Sequence, residues 1–182
     1  PDYDCRPLVY YAPETPIGQV FTHDFYQAPP RRIGAVGLGT GAVAAYTRPG
    51  DRLTFFEIDP LVVRISTDKQ HFTYTTACAQ GQIDYVIGDA RLTLAKQPDE
   101  AFDILLIDAF SSDAVPAHLL TVEAMKGYLA KLKPNGVLVA PVGRTSVQML
   151  HRYVGQGDGS FHRESLTEVR FVPLVEGTAK EG

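Results

Sequence analysis

The fold of this chain is decided by the stretch Arg32-Ile-Gly-Ala-Val-Gly-Leu-Gly-Thr-Gly41 and by Phe55-Phe-Glu-Ile-Asp-Pro60, which follows it. The apolar residues at positions 33–38 do not alternate with polar ones, and this favours a parallel strand that is covered on both faces. The first stretch therefore predicts a buried strand that runs into a glycine turn. The second stretch predicts a neighbouring strand that ends in carboxylates.

The glycine turn and the carboxylate after the second strand describe a nucleotide pocket. Gly37, Gly39 and Gly41 let the backbone turn tightly and come close to a ligand, because they have no Cβ. Glu57 ends the second strand, where a carboxylate can accept both hydroxyls of a ribose. If Ala42 is taken as the third small residue, the turn also fits the dinucleotide fingerprint, so NAD stays an alternative ligand.

A carboxylate at the end of the third predicted strand favours an adenosyl ligand. The segment Val86-Ile-Gly-Asp-Ala90 places Asp89 at the tip of that strand, where it can accept a hydrogen bond from an adenine amino group. Such a pocket holds an adenosyl group without needing a pyrophosphate. The structural alternative is a glycine turn that binds nothing. Acids at successive strand ends lie where open sheets bind ligands, which favours the binding site.

Two further carboxylates follow the fourth predicted strand, in Phe102-Asp-Ile-Leu-Leu-Ile-Asp-Ala-Phe-Ser-Ser-Asp-Ala-Val-Pro116. Asp108 ends an apolar strand, so it should project into the ligand crevice, where it can hold a cation or take a proton. Asp113 follows on a predicted loop over that crevice and can assist with charge. We predict both as catalytic residues, and capping of a loop is the structural alternative for each.

Composition and charge exclude several classes of protein. A chain of 182 residues that is 45% apolar can bury the core of one domain, and a net charge of −4 without a basic stripe argues against a nucleic-acid partner. Cys5 and Cys78 have no CxxC or His-rich surroundings, so we expect neither a disulfide nor a metal site, which suits a reducing cytoplasm. No apolar stretch approaches about 18 residues, and no signal peptide is evident, so we expect no membrane segment and a cytoplasmic location.

Strand and helix patterns alternate along the chain, which is typical of a parallel sheet with helical crossovers. We predict an N-terminal lead or lid over residues 1–30 and one ligand-binding α/β domain over residues 31–182. The predicted strands are 33–38, 52–58, 83–87, 102–108 and 136–141, and the predicted helices are 41–47, 60–70, 90–96 and 121–132. Beyond Gly143 we predict an antiparallel hairpin, with alternation over 147–153, a turn at 155–159 and a closing strand at 166–175.

Several of these motifs resemble a known family. The segments are Tyr10-Tyr11, Gly37-Leu-Gly-Thr-Gly41, Glu57-Ile-Asp-Pro60, Gly88-Asp-Ala-Arg91 and Asp108-Ala-Phe-Ser-Ser-Asp-Ala-Val-Pro-Ala-His-Leu-Leu-Thr121. Over residues 7–140 they look like spermidine synthase-like proteins of the class I S-adenosylmethionine-dependent methyltransferase superfamily. The resemblance implies a Rossmann-like fold, with Glu57 on the ribose, Asp89 on the adenine and Asp108 as the acid near a reacting amine.

The end of the chain resembles a different member of that superfamily. The segments 136–143, 148–150 and 169–174 look like the end of protein-L-isoaspartate O-methyltransferases, over about 40 residues. We take this match as support for the fold and for methyl transfer rather than for isoaspartate repair.

Together the motifs predict group transfer, methyl or aminopropyl, from S-adenosylmethionine or its decarboxylated form to a small-molecule acceptor such as a polyamine. The predicted cofactor-binding residues are Gly37, Gly39, Gly41, Glu57, Asp59, Asp89, Ala90 and Asp108. We predict that Tyr10 or Tyr11 covers the adenosyl ligand; packing on the sheet is the structural alternative. An NAD-dependent oxidoreductase and a binding module without catalysis stay alternatives, and the sequence leaves a homodimer open.

Overall fold

A seven-stranded sheet with helices on both faces forms the protein in a computed structural model, which describes residues 5–22, 30–109, 116–142, 147–156, 158 and 160–170. The strands are β1 Arg32–Val36, β2 Arg52–Glu57, β3 Gln82–Ile87, β4 Phe102–Ile107, β5 Leu132–Val142, β6 Val147–Gly155 and β7 Phe161–Arg170. Their order across the sheet is β3-β2-β1-β4-β5-β6-β7. Strands β1 to β5 are parallel, and β6 and β7 pair antiparallel at one edge. The predicted α/β fold, with its C-terminal antiparallel hairpin, is confirmed.

The central strands are buried on both sides because their apolar runs do not alternate with polar residues. Side chains of β1 and β2 divide between the two faces: Ile33 and Phe55 lie in one hydrophobic cluster, whereas Val36 and Phe56 lie in the other. The carboxyl ends of β1, β2, β3 and β4 therefore meet at one edge of a well-covered sheet. This edge is where open α/β sheets bind their ligands.

Four short α-helices cover the sheet: α1 Pro16–Thr22, α2 Pro60–Ser66, α3 Ala90–Ala95 and α4 Val122–Ala130. Helix α4 begins where predicted, since the Thr121 hydroxyl accepts a hydrogen bond from the Ala124 amide at 3.1 Å. The predicted helix 41–47 is instead a 3₁₀ turn, Ala42–Tyr46. No helix of the described ranges is long and apolar enough to cross a membrane.

Strand β5 begins earlier than predicted. A helix is predicted over 121–132 and a strand from 136, but α4 ends at Ala130 and Pro134, Asn135 and Gly136 all lie inside β5. Asn135 adopts a φ of 64°, and the register with β4 shifts nearby, so the strand accommodates them as an irregularity. The final strand also differs, because β7 spans Phe161–Arg170; the predicted positions 171–175 lie outside the described residues.

The expectation of two unpaired cysteines is wrong. Cys5 and Cys78 form a disulfide, with their Cα atoms 5.4 Å apart and a separation of 73 positions along the chain. A separation this long leaves no local pattern that a sequence could reveal, and the fold itself brings the two residues together. The bond fastens the start of the lead segment to a short π-helical turn, Tyr74–Cys78.

The described part of the lead segment, residues 5–22, packs into the core of the domain. Ile17, Val20 and Phe21 of α1 are buried in the same cluster as the central strands, and Phe21 stacks on Tyr46 with ring centroids 5.2 Å apart. Thus α1 supplies part of the core for one face of the sheet.

A buried ion pair at the amino end of the sheet was not predicted. Arg31 contacts Asp51 at 2.6 Å, and both side chains are almost fully buried. The Asp51 carboxylate also accepts hydrogen bonds from the backbone amides of Arg31 at 2.7 Å and of Arg48 at 2.9 Å. This network ties the segment before β1 to the segment before β2.

Candidate functional site

Most of the predicted site residues lie around one cavity of about 220 Å³ at the carboxyl edge of the sheet. The cavity is lined by Tyr11, Gly37, Gly39, Glu57, Asp89, Ala90 and Asp108. Three other predicted residues, Tyr10, Gly41 and Asp59, do not line it. Asp113 lies outside the described residues, so its predicted role stays a prediction.

The glycine turn provides the floor of the cavity. Gly37 has a φ of 90°, and a Cβ at this position would lie 2.5 Å from the Asp108 carbonyl oxygen, so only glycine lets β1 and β4 approach this closely. Gly39 has a φ of 51°, and a Cβ there would meet nothing within 4 Å. The backbone at Gly39 therefore faces open space in which a ligand can sit against it.

Glu57 is buried and fixed by the turn that it faces. Its Oε2 accepts a hydrogen bond from the Leu38 amide at 2.9 Å, and its Oε1 accepts one from the Asp59 amide at 3.0 Å. Each carboxylate oxygen can accept two hydrogen bonds, so one position on each oxygen is available to a ligand. Two such positions on a fixed carboxylate match a pair of neighbouring ribose hydroxyls.

Asp59 caps a helix in the structure, and its predicted role in binding the cofactor stays a prediction. Its side chain accepts a hydrogen bond from the Leu61 amide at 2.8 Å and caps the amino end of α2. It thus shapes the site through its backbone amide, which holds Glu57, while its carboxylate points to the helix.

Asp89 caps α3 and contacts a histidine. Its Oδ1 accepts hydrogen bonds from the Arg91 amide at 2.8 Å and the Leu92 amide at 3.3 Å. Its Oδ2 lies 3.0 Å from Nε2 of His118, which also lines the cavity. His118 is not among the residues predicted for the site, and the signal in the sequence is its position just after the segment 102–116.

Asp108 is a buried carboxyl group whose pKa is raised well above its usual range. It is almost fully buried, its Oδ2 accepts a hydrogen bond from the Tyr11 hydroxyl, and its Oδ1 has no hydrogen-bond partner among the described residues. Burial raises the pKa of Asp108 to about 7, and the hydrogen bond from Tyr11 opposes this rise. A buried carboxyl that titrates near neutral pH, with one oxygen unpartnered, can donate or accept a proton at a ligand.

The lead segment positions Tyr11. The Tyr46 hydroxyl donates to the Tyr11 carbonyl oxygen, and the Tyr10 and Tyr11 rings contact each other with centroids 5.2 Å apart. Burial, followed by the nearby charge of Asp108, raises the pKa of both Tyr10 and Tyr11 above its usual range. Both hydroxyls are therefore hydrogen-bond donors at neutral pH.

Comparison with known proteins extends one of the two resemblances over most of the chain. A family model described as Protein-L-isoaspartate(D-aspartate) O-methyltransferase (PCMT) matches residues 29–179. The chain is 33% identical over 193 residues to a protein-L-isoaspartate O-methyltransferase of Caulobacter vibrioides, and this alignment covers 96% of the chain and 86% of the relative. The match is thus much longer than the last 40 or so residues that suggested it in the sequence.

The second resemblance is also found, over a shorter part of the chain. A polyamine aminopropyltransferase of Vibrio vulnificus is 32% identical over 122 residues, which cover 64% of this chain and 39% of that protein. The crystal structure of a probable spermidine synthase from Corynebacterium glutamicum superposes with a TM-score of 0.53 at 26% identity, covering 64% of this chain and 41% of that one. A putative methyltransferase from Bacillus halodurans, at 17% identity and a TM-score of 0.52, shares the fold.

Proposed function

Since this chain belongs to the protein-L-isoaspartate(D-aspartate) O-methyltransferase family, we propose that it methylates the free carboxylate of isoaspartyl residues in peptides. The chain is an S-adenosylmethionine-dependent methyltransferase. It is therefore neither an NAD-dependent oxidoreductase nor a binding module without catalysis. The observation that carries the acceptor is the family match over residues 29–179.

The residues around the cavity fit the cofactor. When bound, S-adenosylmethionine supplies an electrophilic methyl group on a sulfonium. We propose that Glu57 holds the ribose with its two free acceptor positions, that Asp89 accepts from the adenine amino group, and that the open backbone at Gly39 leaves room for the ligand. Glu57→Ala should weaken the binding of S-adenosylhomocysteine at least tenfold, because hydrogen bonds to a charged acceptor are each worth about 1.5–3 kcal/mol. Unchanged affinity in titration calorimetry would contradict this placement.

For a carboxylate acceptor, the protein mainly has to align the acceptor oxygen with the methyl group of the cofactor. The acceptor is already ionised near neutral pH, so its oxygen is a nucleophile without a general base. The protonation state of Asp108 determines whether an acceptor carboxylate can bind beside Tyr11. Protonated Asp108 can donate a hydrogen bond to the acceptor carboxylate, whereas ionised Asp108 repels that carboxylate. The proposed reaction therefore uses the protonated form of Asp108.

The proposal is tested with two peptides that are identical except for one residue, isoaspartate in one and aspartate in the other. With methyl-labelled S-adenosylmethionine, we expect a base-labile methyl ester on the isoaspartyl peptide and none on its aspartyl counterpart. Binding of S-adenosylhomocysteine without ester formation on either peptide would refute the acceptor while leaving the cofactor site intact.

An amine acceptor is the second candidate, and the buried Asp108 favours it. An amine must lose a proton before it can attack, and an ionised carboxylate with an unpartnered oxygen can orient it and take that proton. The partial match to a polyamine aminopropyltransferase points to the same chemistry. The test is formation of 5′-methylthioadenosine from decarboxylated S-adenosylmethionine and a diamine. Absence of that product, under conditions that give the methyl ester, would exclude this candidate.

The cytoplasmic location stays a prediction, and one of its arguments is lost. Disulfides are rare in reducing compartments, whereas Cys5 and Cys78 are bonded here. Fractionation of cells that express the chain, with the redox state of the two cysteines measured in each fraction, would test it.

A further inference from the structure

His118 lies where it can orient the carboxylate of Asp89 toward a ligand in the cavity. It belongs to the 3₁₀ turn Ala117–Leu119, lines the cavity and lies 3.0 Å from Asp89 Oδ2 through its Nε2. The other oxygen of Asp89 already accepts two backbone amides of α3. Since a carboxylate oxygen accepts two hydrogen bonds, Oδ2 has one acceptor position left beside His118.

We propose that His118 is a positioning residue that fixes Asp89 Oδ2 and thereby makes the site selective for the adenine amino group. This inference rests on the proposed placement of the adenine at Asp89. The backbone amides of α3 hold Oδ1 at one point, about which the carboxylate can still rotate. His118 supplies a second donor, from a different element, and this donor fixes the plane of the Asp89 carboxylate. The remaining acceptor position on Oδ2 then points in a single direction.

The test compares S-adenosylhomocysteine with S-inosylhomocysteine, in which an oxo group replaces the amino group. His118→Phe keeps a ring over the cavity but removes the donor, and His118→Gln keeps a donor. We expect His118→Phe to bind S-adenosylhomocysteine about three- to tenfold more weakly, with little change for S-inosylhomocysteine, and His118→Gln to restore most of the preference. His71→Phe, at an exposed histidine outside the cavity lining, is the matched control.

Two results would overturn the inference in distinguishable ways. Equal weakening of both ligands by His118→Phe, or no weakening, would show that the histidine does not act through the amino group. If Asp89→Asn also leaves the preference for adenine unchanged, the placement of the adenine itself fails. If Asp89→Asn abolishes the preference and His118→Phe does not, only the role of His118 fails.

We also infer a redox control of the site from a different observation, the disulfide. Cys5 begins the described lead segment, which continues to Tyr11 and its hydrogen bond to Asp108. Cys78 ends the turn that holds Thr75, whose hydroxyl donates to the Ser66 carbonyl oxygen at 3.2 Å. The disulfide thus joins the segment that covers Asp108 to a turn that supports α2.

Ser66 extends this connection to the cavity floor, since its hydroxyl donates to the Gly39 carbonyl oxygen. Reduction of the disulfide by a dithiol transfers two electrons and two protons to the sulfurs of Cys5 and Cys78, and the dithiol becomes a disulfide. The lead segment then keeps its noncovalent contacts only, and Tyr11 is held less firmly over Asp108.

The experiment measures S-adenosylhomocysteine affinity and amide hydrogen exchange over residues 9–22, with and without dithiothreitol. Reduction should lower the affinity about three- to tenfold and speed exchange in this segment, while Cys5→Ser/Cys78→Ser should show both effects without reductant. Glu14→Gln, which removes the exposed ion pair of Arg6 in the same segment, should respond to reductant as the wild type does. Two free thiols in protein made under oxidising conditions would overturn the inference, as would faster exchange without a change in affinity.

Discussion

Replacing Asp108 by Asn should remove a pH dependence from the stability of the protein. The carboxyl has a pKa of about 7 in the folded state and 3.8 as its reference value. The folded protein therefore binds more protons than the unfolded chain between these values, and the contribution of Asp108 makes the protein less stable as pH rises through this window. Below the lower value this effect is absent, and above the higher value it reaches about 4 kcal/mol. Between pH 5 and pH 8 the difference amounts to about 2.5 kcal/mol.

The measurement is urea unfolding of both proteins, followed by circular dichroism at fixed ionic strength, at pH 5 and pH 8. Asn does not titrate, and the other ionisable groups are common to both proteins, so they cancel in the difference between them. We expect the free energy of unfolding of the Asn variant, relative to the wild type, to increase by about 2.5 kcal/mol between the two pH values. A constant difference would refute the reasoning, because Asp108 would then titrate as an ordinary exposed carboxylate.

Three further predictions concern the turn, the ion pair and the disulfide. Gly39→Val should abolish S-adenosylhomocysteine binding and leave the circular dichroism spectrum largely unchanged, because its side chain enters the open cavity, although the φ of 51° also strains the backbone. Gly50→Val, which carries the same kind of strain at a φ of 89° outside the cavity lining, should bind normally, and loss of binding in both variants would contradict the steric argument. Asp51→Asn should lower the free energy of unfolding by about 3–5 kcal/mol in urea titrations, since it leaves a buried guanidinium without its counter-charge. Cys5→Ala/Cys78→Ala should lower it by about 4 kcal/mol for a loop of 73 residues, and an unchanged midpoint would argue against the bond.

The parts of the site that could be predicted are those encoded by local pattern. Gly37 and Gly39 lie just beyond β1, and Glu57 is the last residue of β2. Both strands are recognisable by their apolar runs, and the carboxyl ends of parallel strands meet at one edge of a sheet. Asp108 was predicted for the same reason. Each of these residues lines the cavity.

The side-chain partner of Asp108 and the buried ion pair could not be predicted, because the residues involved are far apart in the chain. Tyr11 and Asp108 are 97 positions apart, and nothing in either segment specifies their contact. The Arg31–Asp51 pair, twenty positions apart, likewise has no periodicity to reveal it. Hydrogen bonds of this kind depend on how the lead segment packs across the sheet, which is a property of the whole core. The sequence thus predicts where the site lies, and the tertiary structure determines its protonation state.

That protonation state provides a way to identify the acceptor without knowing it in advance. An acceptor carboxylate is accommodated only while Asp108 carries its proton, so methyl transfer to isoaspartate should slow as pH rises through about 7. An amine needs the ionised form of Asp108, both to attract its charge and to take its proton, so transfer to an amine should accelerate over the same range. The two proposed acceptors therefore require opposite slopes of kcat/KM against pH, and Asp108→Asn should flatten either one. A slope that persists unchanged in the Asn variant would assign the titration to the acceptor or to another group, and Asp108 would not be the group that sets the pH dependence.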